Sequence, residues 1–366
     1  MKNLYLLLLL PAFFAVGQNQ TWQISFNANV TTLNPLPNGH WLVGGIVGGT
    51  NWLFSKGYLA ETSLDGTYFS DKEIDVNNRT IISAIIPLSD GRQVVAGMAD
   101  GCDVGAGGFI RLQNTFGTTL WTRATDWQPN FDYVPAISAL ALTANQELIA
   151  VGEDKIWLLE LETGLVLQEK ELPGVNIYDL AYSSDSLSYL LAAGNSIYSM
   201  DEDLNLTLLN STSVQGKYYI QVVPASGNGF FALQNDSHIL YRKWNGTGYN
   251  LLGLAPAPGF QVMDISATDE GAVLCGLEGN IGRVVRISGT GTSEFYLPAP
   301  DLIPQRIRID PATGKIIIAG VELHGPSPRT WDNPSSLSSG SQHFWVQSFE
   351  PDGSTPGFAS RSGFLF

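Results

Sequence analysis

Two tight-turn signals, each recurring seven times along the 366-residue chain, predict an all-β protein: seven four-stranded antiparallel units closed into a β-propeller. A third observation, an apolar stretch at the N-terminus, predicts that the protein is exported.

At the N-terminus, Lys2 supplies a positive start, Leu4 to Val16 are apolar, and Ala15-Val16-Gly17 offer small residues for a signal peptidase. Cleavage after Gly17 is expected, leaving 18–366 as one domain. A membrane anchor needs about 20 apolar residues, and this run is shorter and contains Pro11. No cysteine follows it, so a lipid anchor is not expected. The predicted location is periplasmic, cell-surface or extracellular.

The first turn signal is a short β-prone run, a polar turn, and an apolar run ending in a small residue. It spans Thr32 to Gly45, Ala84 to Gly97, Ala139 to Gly152, Asp179 to Gly194, Gln221 to Leu233, Asp264 to Gly276 and Ile307 to Gly320. After another β-prone segment, each copy is followed by a second turn: Leu64-Asp65-Gly66, Thr115-Phe116-Gly117, Glu162-Thr163-Gly164, Asp203-Leu204-Asn205, Gly246-Thr247-Gly248, Gly289-Thr290-Gly291 and Pro351-Asp352-Gly353. Gly and Asn supply the positive φ that tight hairpins require. Each unit therefore reads strand, turn, strand, longer loop, strand, turn, strand. One such sheet cannot bury both faces alone, so the units pack around an axis, and the regular spacing favours this over a long sandwich or β-helix.

Three units resemble the delta-60 repeat of exported bacterial propellers. The matching residues are Asn38-Gly39 to Gly45, Asp90-Gly91 to Gly97 and Thr313-Gly314 to Gly320, with Asp65-Gly66 and Asp352-Gly353 completing the pattern. The resemblance implies the fold and an exported location, and brings no catalytic residue with it. The middle units drift from the pattern, and Leu233 stands where Gly is expected. Thr21 to Asn27 precedes the first inner strand and is expected to complete the seventh blade beside Phe344 to Phe349, closing the ring.

The longest loops between second and third strands, Gly45 to Gly57, Gly97 to Gly107 and Gly320 to His343, belong to units that are consecutive around a closed ring. They are expected to form a raised wall on one face, carrying Trp52, Asp100, Asp103, His324, Arg329, Trp331 and Asp332, with Trp127 and Tyr133 on the adjacent connector. Aromatic rings beside carboxylates and a guanidinium suit stacking on a sugar or anchoring a peptide.

Aligning the inner strands places Thr32, Ala84, Ala139, Asp179, Gln221, Asp264 and Ile307 in one column. Asp179 and Asp264 are the candidate catalytic residues, since two carboxylates facing a channel can act as a glycosidase pair. Water-filled polar lining is the competing reading.

Other chemistry finds no support. A formal charge of −15, spread along the chain, disfavours nucleic acid, whose phosphates need clustered Lys and Arg. His40, His238, His324 and His343 show no metal-ligand spacing, Asp201-x-Asp203-x-Asn205 lacks the Gly and Glu of a calcium loop, and Gly105 to Gly108 lacks a P-loop Lys. No metal or cofactor is expected. Two cysteines are too few for a disulfide framework, and Cys275 reads as a small core residue. Sequons at Asn19, Asn29, Asn78, Asn205, Asn210, Asn235 and Asn245 mark surface loops only in a source that glycosylates. The leading functional reading is an exported, non-catalytic propeller binding or scaffolding a protein or glycan at the cell envelope or outside the cell. The alternative is a secreted polysaccharide hydrolase or lyase using the channel carboxylates.

Overall fold

A computed structural model describes residues 27–48, 55–64, 69–76, 79–101, 104–125, 136–244, 249–254, 259–269, 271–279, 281–288, 293–295, 302–323 and 342–350. Among these are 27 strands and no helix, arranged as seven antiparallel sheets whose strands are ordered as in the sequence. Six sheets have four strands and the seventh has three described strands. The innermost strands are Asn27–Pro35, Arg79–Pro87, Ala139–Leu142, Ile177–Ser183, Tyr219–Ala225, Phe260–Thr268 and Leu302–Ile309.

The core consists of seven apolar clusters, one at each junction between neighbouring blades. A β-strand sends alternate side chains to opposite faces. In blade 3, Leu148 and Ala150 therefore pack on blade 2 while Ile149 and Val151 pack on blade 4. With both faces covered, the second strand, Leu148–Gly152, is buried throughout, which is why it reads as an unbroken apolar run. Cys275 lies fully buried in the cluster between blades 6 and 7, where burial pushes its thiol pKa up. The junction between blades 7 and 1 closes the ring, packing Ile317, Ala319 and Val321 against Val30, Leu33, Trp41 and Tyr58.

The hairpin turns behave as their chemistry dictates. Leu36 and His40 close one hairpin and Leu88 and Arg92 another, with Gly39 at φ +81° and Gly91 at φ +85° supplying the left-handed residue. Blades 3 and 4 put Gln146 and Leu187 into that conformation instead, and blade 5 puts Asn228 there beside Gly227.

The glycine that ends each apolar run has a different purpose. In six blades the innermost strand shifts register by one residue, at Thr31, Ser83, Tyr178, Ile220, Met263 and Gln305. Near the shift a backbone carbonyl turns toward the second strand. A Cβ built on Gly45, Gly97, Gly152, Gly276 or Gly320 would stand 1.9–2.1 Å from the oxygen of Asn29, Ile81, Ala136, Gln261 or Ile303, so only glycine admits the close approach. In blades 4 and 5 the register puts Ala193 opposite Ile177 and Gln234 opposite Tyr219, so these residues occupy the column that the sequence assigned to Gly194 and Leu233.

At these irregularities, and at the matching place in blade 3, polar side chains reach across the blade junctions. Thr31 and Ser83 donate to the carbonyls of Ile82 and Ile137, and Ser138 donates to that of Ile177 at 2.9 Å. Asp179 accepts from the Val222 amide at 2.9 Å, and Asp264 from the Ile307 amide at 2.8 Å. At the closing junction Gln305 accepts from the Val30 amide at 2.7 Å and donates to Asn29 Oδ1 at 2.9 Å, while Arg306 donates to the Thr31 carbonyl. Residues 21–26 of the predicted N-terminal clasp lie outside the described residues. Its last residue, Asn27, belongs to the first inner strand rather than to a clasp.

Candidate functional site

The polar centre of the ring lies on the innermost strands of blades 4 to 7. Asp179 and Asp264 lie there with Gln221 and Arg308, while Arg306 of the same strand as Arg308 reaches the Thr31 carbonyl of blade 1. The structure replaces one member of the predicted column: the residue equivalent to Ala84, which pairs with Ala96, is Arg306, which pairs with Ala319. Ile307 is buried in the cluster between blades 6 and 7. The hairpin turn of blade 7, between Ile309 and Ile316, is one residue longer than that of blade 2, between Pro87 and Gln93, and this displaces the count by one. The column reading therefore missed Arg306 and Arg308, although two arginines at alternate positions among isoleucines mark a polar face.

Asp264 is 2% exposed, and all its acceptor capacity is used. Its Oδ1 accepts from Gln221 Nε2 and, at 3.0 Å, from the Ile265 amide. Its Oδ2 accepts from the Ile307 amide at 2.8 Å and from Arg308 Nη1 at 2.7 Å. This carboxylate binds blades 5, 6 and 7 together and keeps no lone pair for a substrate. Asp179 differs. It retains some accessible area, yet ring atoms enclose its carboxylate closely enough that burial pushes its pKa up to about 6. The Val222 and Leu180 amides and the Arg308 charge act in the opposite direction, and Asp264 adds to the rise.

On the face where second strands turn into third strands, blades 7, 1 and 2 extend three or four residues past the glycine column and blade 6 extends two, to Glu278. The second strand of blade 3 ends at Gly152 itself. Its counterparts Trp41–Gly48, Gln93–Gly101 and Ile316–Leu323 run on past Gly45, Gly97 and Gly320, paired with Ser55–Thr62, Val104–Gln113 and Gln342–Phe349. The Gly97 to Gly107 stretch, expected as a long loop, is therefore mostly strand: Gly101 pairs with Val104, and Gly-rich sequence disguised the extension. Asp100 sits on this projecting hairpin, opposite Arg79 in register. Trp52, Asp103, Trp127, Tyr133, His324, Arg329, Trp331 and Asp332 lie outside the described residues. Among the described residues no group of three or more His, Cys, Asp or Glu is arranged to hold a metal ion, and no helix is long and apolar enough to cross a membrane.

No protein-family model matches the sequence, and no curated protein matches it. Solved structures do match over nearly the whole chain. A streptogramin B lyase is 13% identical with a TM-score of 0.62, covering 90% of this chain and 97% of its own. A catalytically inactive virginiamycin B lyase from Staphylococcus aureus, solved with quinupristin, is 13% identical with a TM-score of 0.59, covering 90% and 99%. The β-propeller domain of Cps50 (Swd1) from Myceliophteria thermophila is 11% identical with a TM-score of 0.59, covering 88% and 99%. Likeness at such identities is a likeness of fold, and with the seven blades already described it establishes this chain as a β-propeller.

Proposed function

We propose that the protein is an exported, non-catalytic propeller whose projecting hairpins in blades 7, 1 and 2 bind a protein or glycan partner at the cell envelope or outside the cell. The observation that carries this reading is the strand overshoot past Gly45, Gly97 and Gly320. Three consecutive blades lengthen the strand pairs whose connecting segments hold Trp52, Asp103, Arg329 and Trp331, and connections carried on a sheet scaffold are where recognition concentrates. Export is supported by the apolar N-terminal stretch and its small-residue end. The hydrolase or lyase reading rests on Asp179 and Asp264, and the saturation of Asp264 favours binding over chemistry.

Capture from native envelope extract, together with a glycan array, tests the binding reading with Arg329→Ala/Trp331→Ala beside the unaltered protein. The expected result is a partner or glycan signal that falls at least about tenfold, as for loss of interface anchors, with an unchanged melting temperature. Equal capture by both proteins would remove the wall from consideration. N-terminal sequencing of the mature protein is expected to begin at Gln18, and a retained Met1 would refute export through this signal.

A further inference from the structure

We propose a second binding site on the opposite face: a cleft at the channel mouth, formed by the hairpin turns of blades 4 to 7, that takes an arginine or lysine side chain of a partner polypeptide. The proposal is independent of the wall, sharing no residue with it.

The cleft has a volume of about 540 Å³, within the range of small-ligand sites. Ala225, Ala267, Ile309 and Ile316 give it an apolar floor. Around the rim stand Tyr182, Asp185, Ser226, Thr268, Asp269 and Arg286. Three of these carry acceptors unused among the described residues. Asp185 receives the Gly227 amide on Oδ2 at 2.7 Å, and its Oδ1 has no partner among the described residues. The Ser226 hydroxyl goes to the backbone oxygen of Asp269, so the exposed Asp269 carboxylate has no ion pair or hydrogen bond among the described residues. The Thr268 hydroxyl oxygen, shielded from solvent, likewise lacks a partner among them.

Tyr182 supplies the aromatic element. It is 47% exposed, and its ring is fixed by Tyr189, 5.3 Å away between centroids, whose hydroxyl donates to the Leu142 carbonyl. An exposed ring face beside open carboxylates matches a guanidinium or ammonium, which is attracted by both the ring quadrupole and the charge. Arg286 is the one cation of the lining and already has interactions of its own. Two carboxylates against one guanidinium leave the cleft net negative in a chain of charge −15, so it attracts cations.

Ligand-observed NMR on the intact protein in 0.15 M salt, roughly physiological ionic strength, tests this with N-acetyl-arginine amide, N-acetyl-lysine amide, the neutral citrulline isostere and N-acetyl-glutamate. The arginine and lysine amides are expected to bind and citrulline and glutamate not to. Asp269→Asn should weaken binding about fivefold, the scale of one exposed ion pair, and Asp269→Asn/Tyr182→Ala should abolish it. Asp269 makes no side-chain bond among the described residues, so its variant keeps the fold, and a matching melting curve verifies this. Equal binding by citrulline, preference for glutamate, or arginine binding untouched by Asp269→Asn would each overturn the proposal.

Discussion

The residues that matter most to this fold are those whose side chains, or lack of them, meet the backbone of another strand. Gly97→Ala would set a Cβ 1.9 Å from the Ile81 oxygen, whereas the same change at Gly39 meets nothing within 4 Å and strains only a φ of +81°. Chemical denaturation is expected to show about 2–3 kcal/mol lost at Gly97, as for overpacking, and about 1 kcal/mol at Gly39. Asp179 gives a pH signature. Its pKa rises from 3.8 to about 6 on folding, so its favourable contribution is complete below the unfolded value and disappears as pH rises through 6. Asp179→Asn keeps an oxygen for the Val222 amide and removes the charge. Melting measured from pH 4 to 7 should therefore be flatter in the variant, which gains relative stability toward pH 7, with a ceiling on the order of 3 kcal/mol. Parallel curves would mean that the carboxylate is not held as described.

At the level of elements, the decisive device is the irregular inner strand with its glycine partner and its cross-junction hydrogen bond. Blades 1 to 3 make the bridge with hydroxyls of Thr31, Ser83 and Ser138, and blades 4, 6 and 7 with Asp179, Asp264 and the Gln305-Arg306 pair. Ser138→Ala should cost about 1 kcal/mol, the net value of one such bond. Gln305→Leu should cost more, about 1–3 kcal/mol, because it leaves the Val30 amide buried without an acceptor. Faster hydrogen exchange at Val30, with blade 4 unaffected, would locate the damage at the closing junction; uniform exchange would contradict it. Strands and turns were legible in the sequence because period-two alternation and Gly or Asn at positive φ are local properties. The register shift was not, because it adds one residue without changing composition. Nor was the one extra turn residue of blade 7, which put Ile307 where Arg306 stands, and Gly-rich sequence made a strand look like a loop between Gly97 and Gly107.

For the whole molecule, ring closure needs seven junctions of comparable quality, and each has its own apolar cluster. The junction of blades 7 and 1 holds through Trp41, Tyr58 and Val321 together with the Gln305 clasp. If 21–26 of the predicted clasp adds the outer strand of blade 7, a chain beginning at Asn27 should still fold but melt several degrees lower, as loss of about 1–2 kcal/mol implies for a domain of this size. An unchanged melting temperature would show that the segment lies elsewhere. The all-β class, the seven units and their turns could be read from the order of residues alone, because they depend on local propensity repeated at a fixed period. Which side chains meet at the axis, which carboxylate is saturated and which remains open, and how the two faces differ emerge only in the assembled ring. Those facts depend on register between strands and on contacts between blades some 40 or more residues apart, which no local pattern encodes.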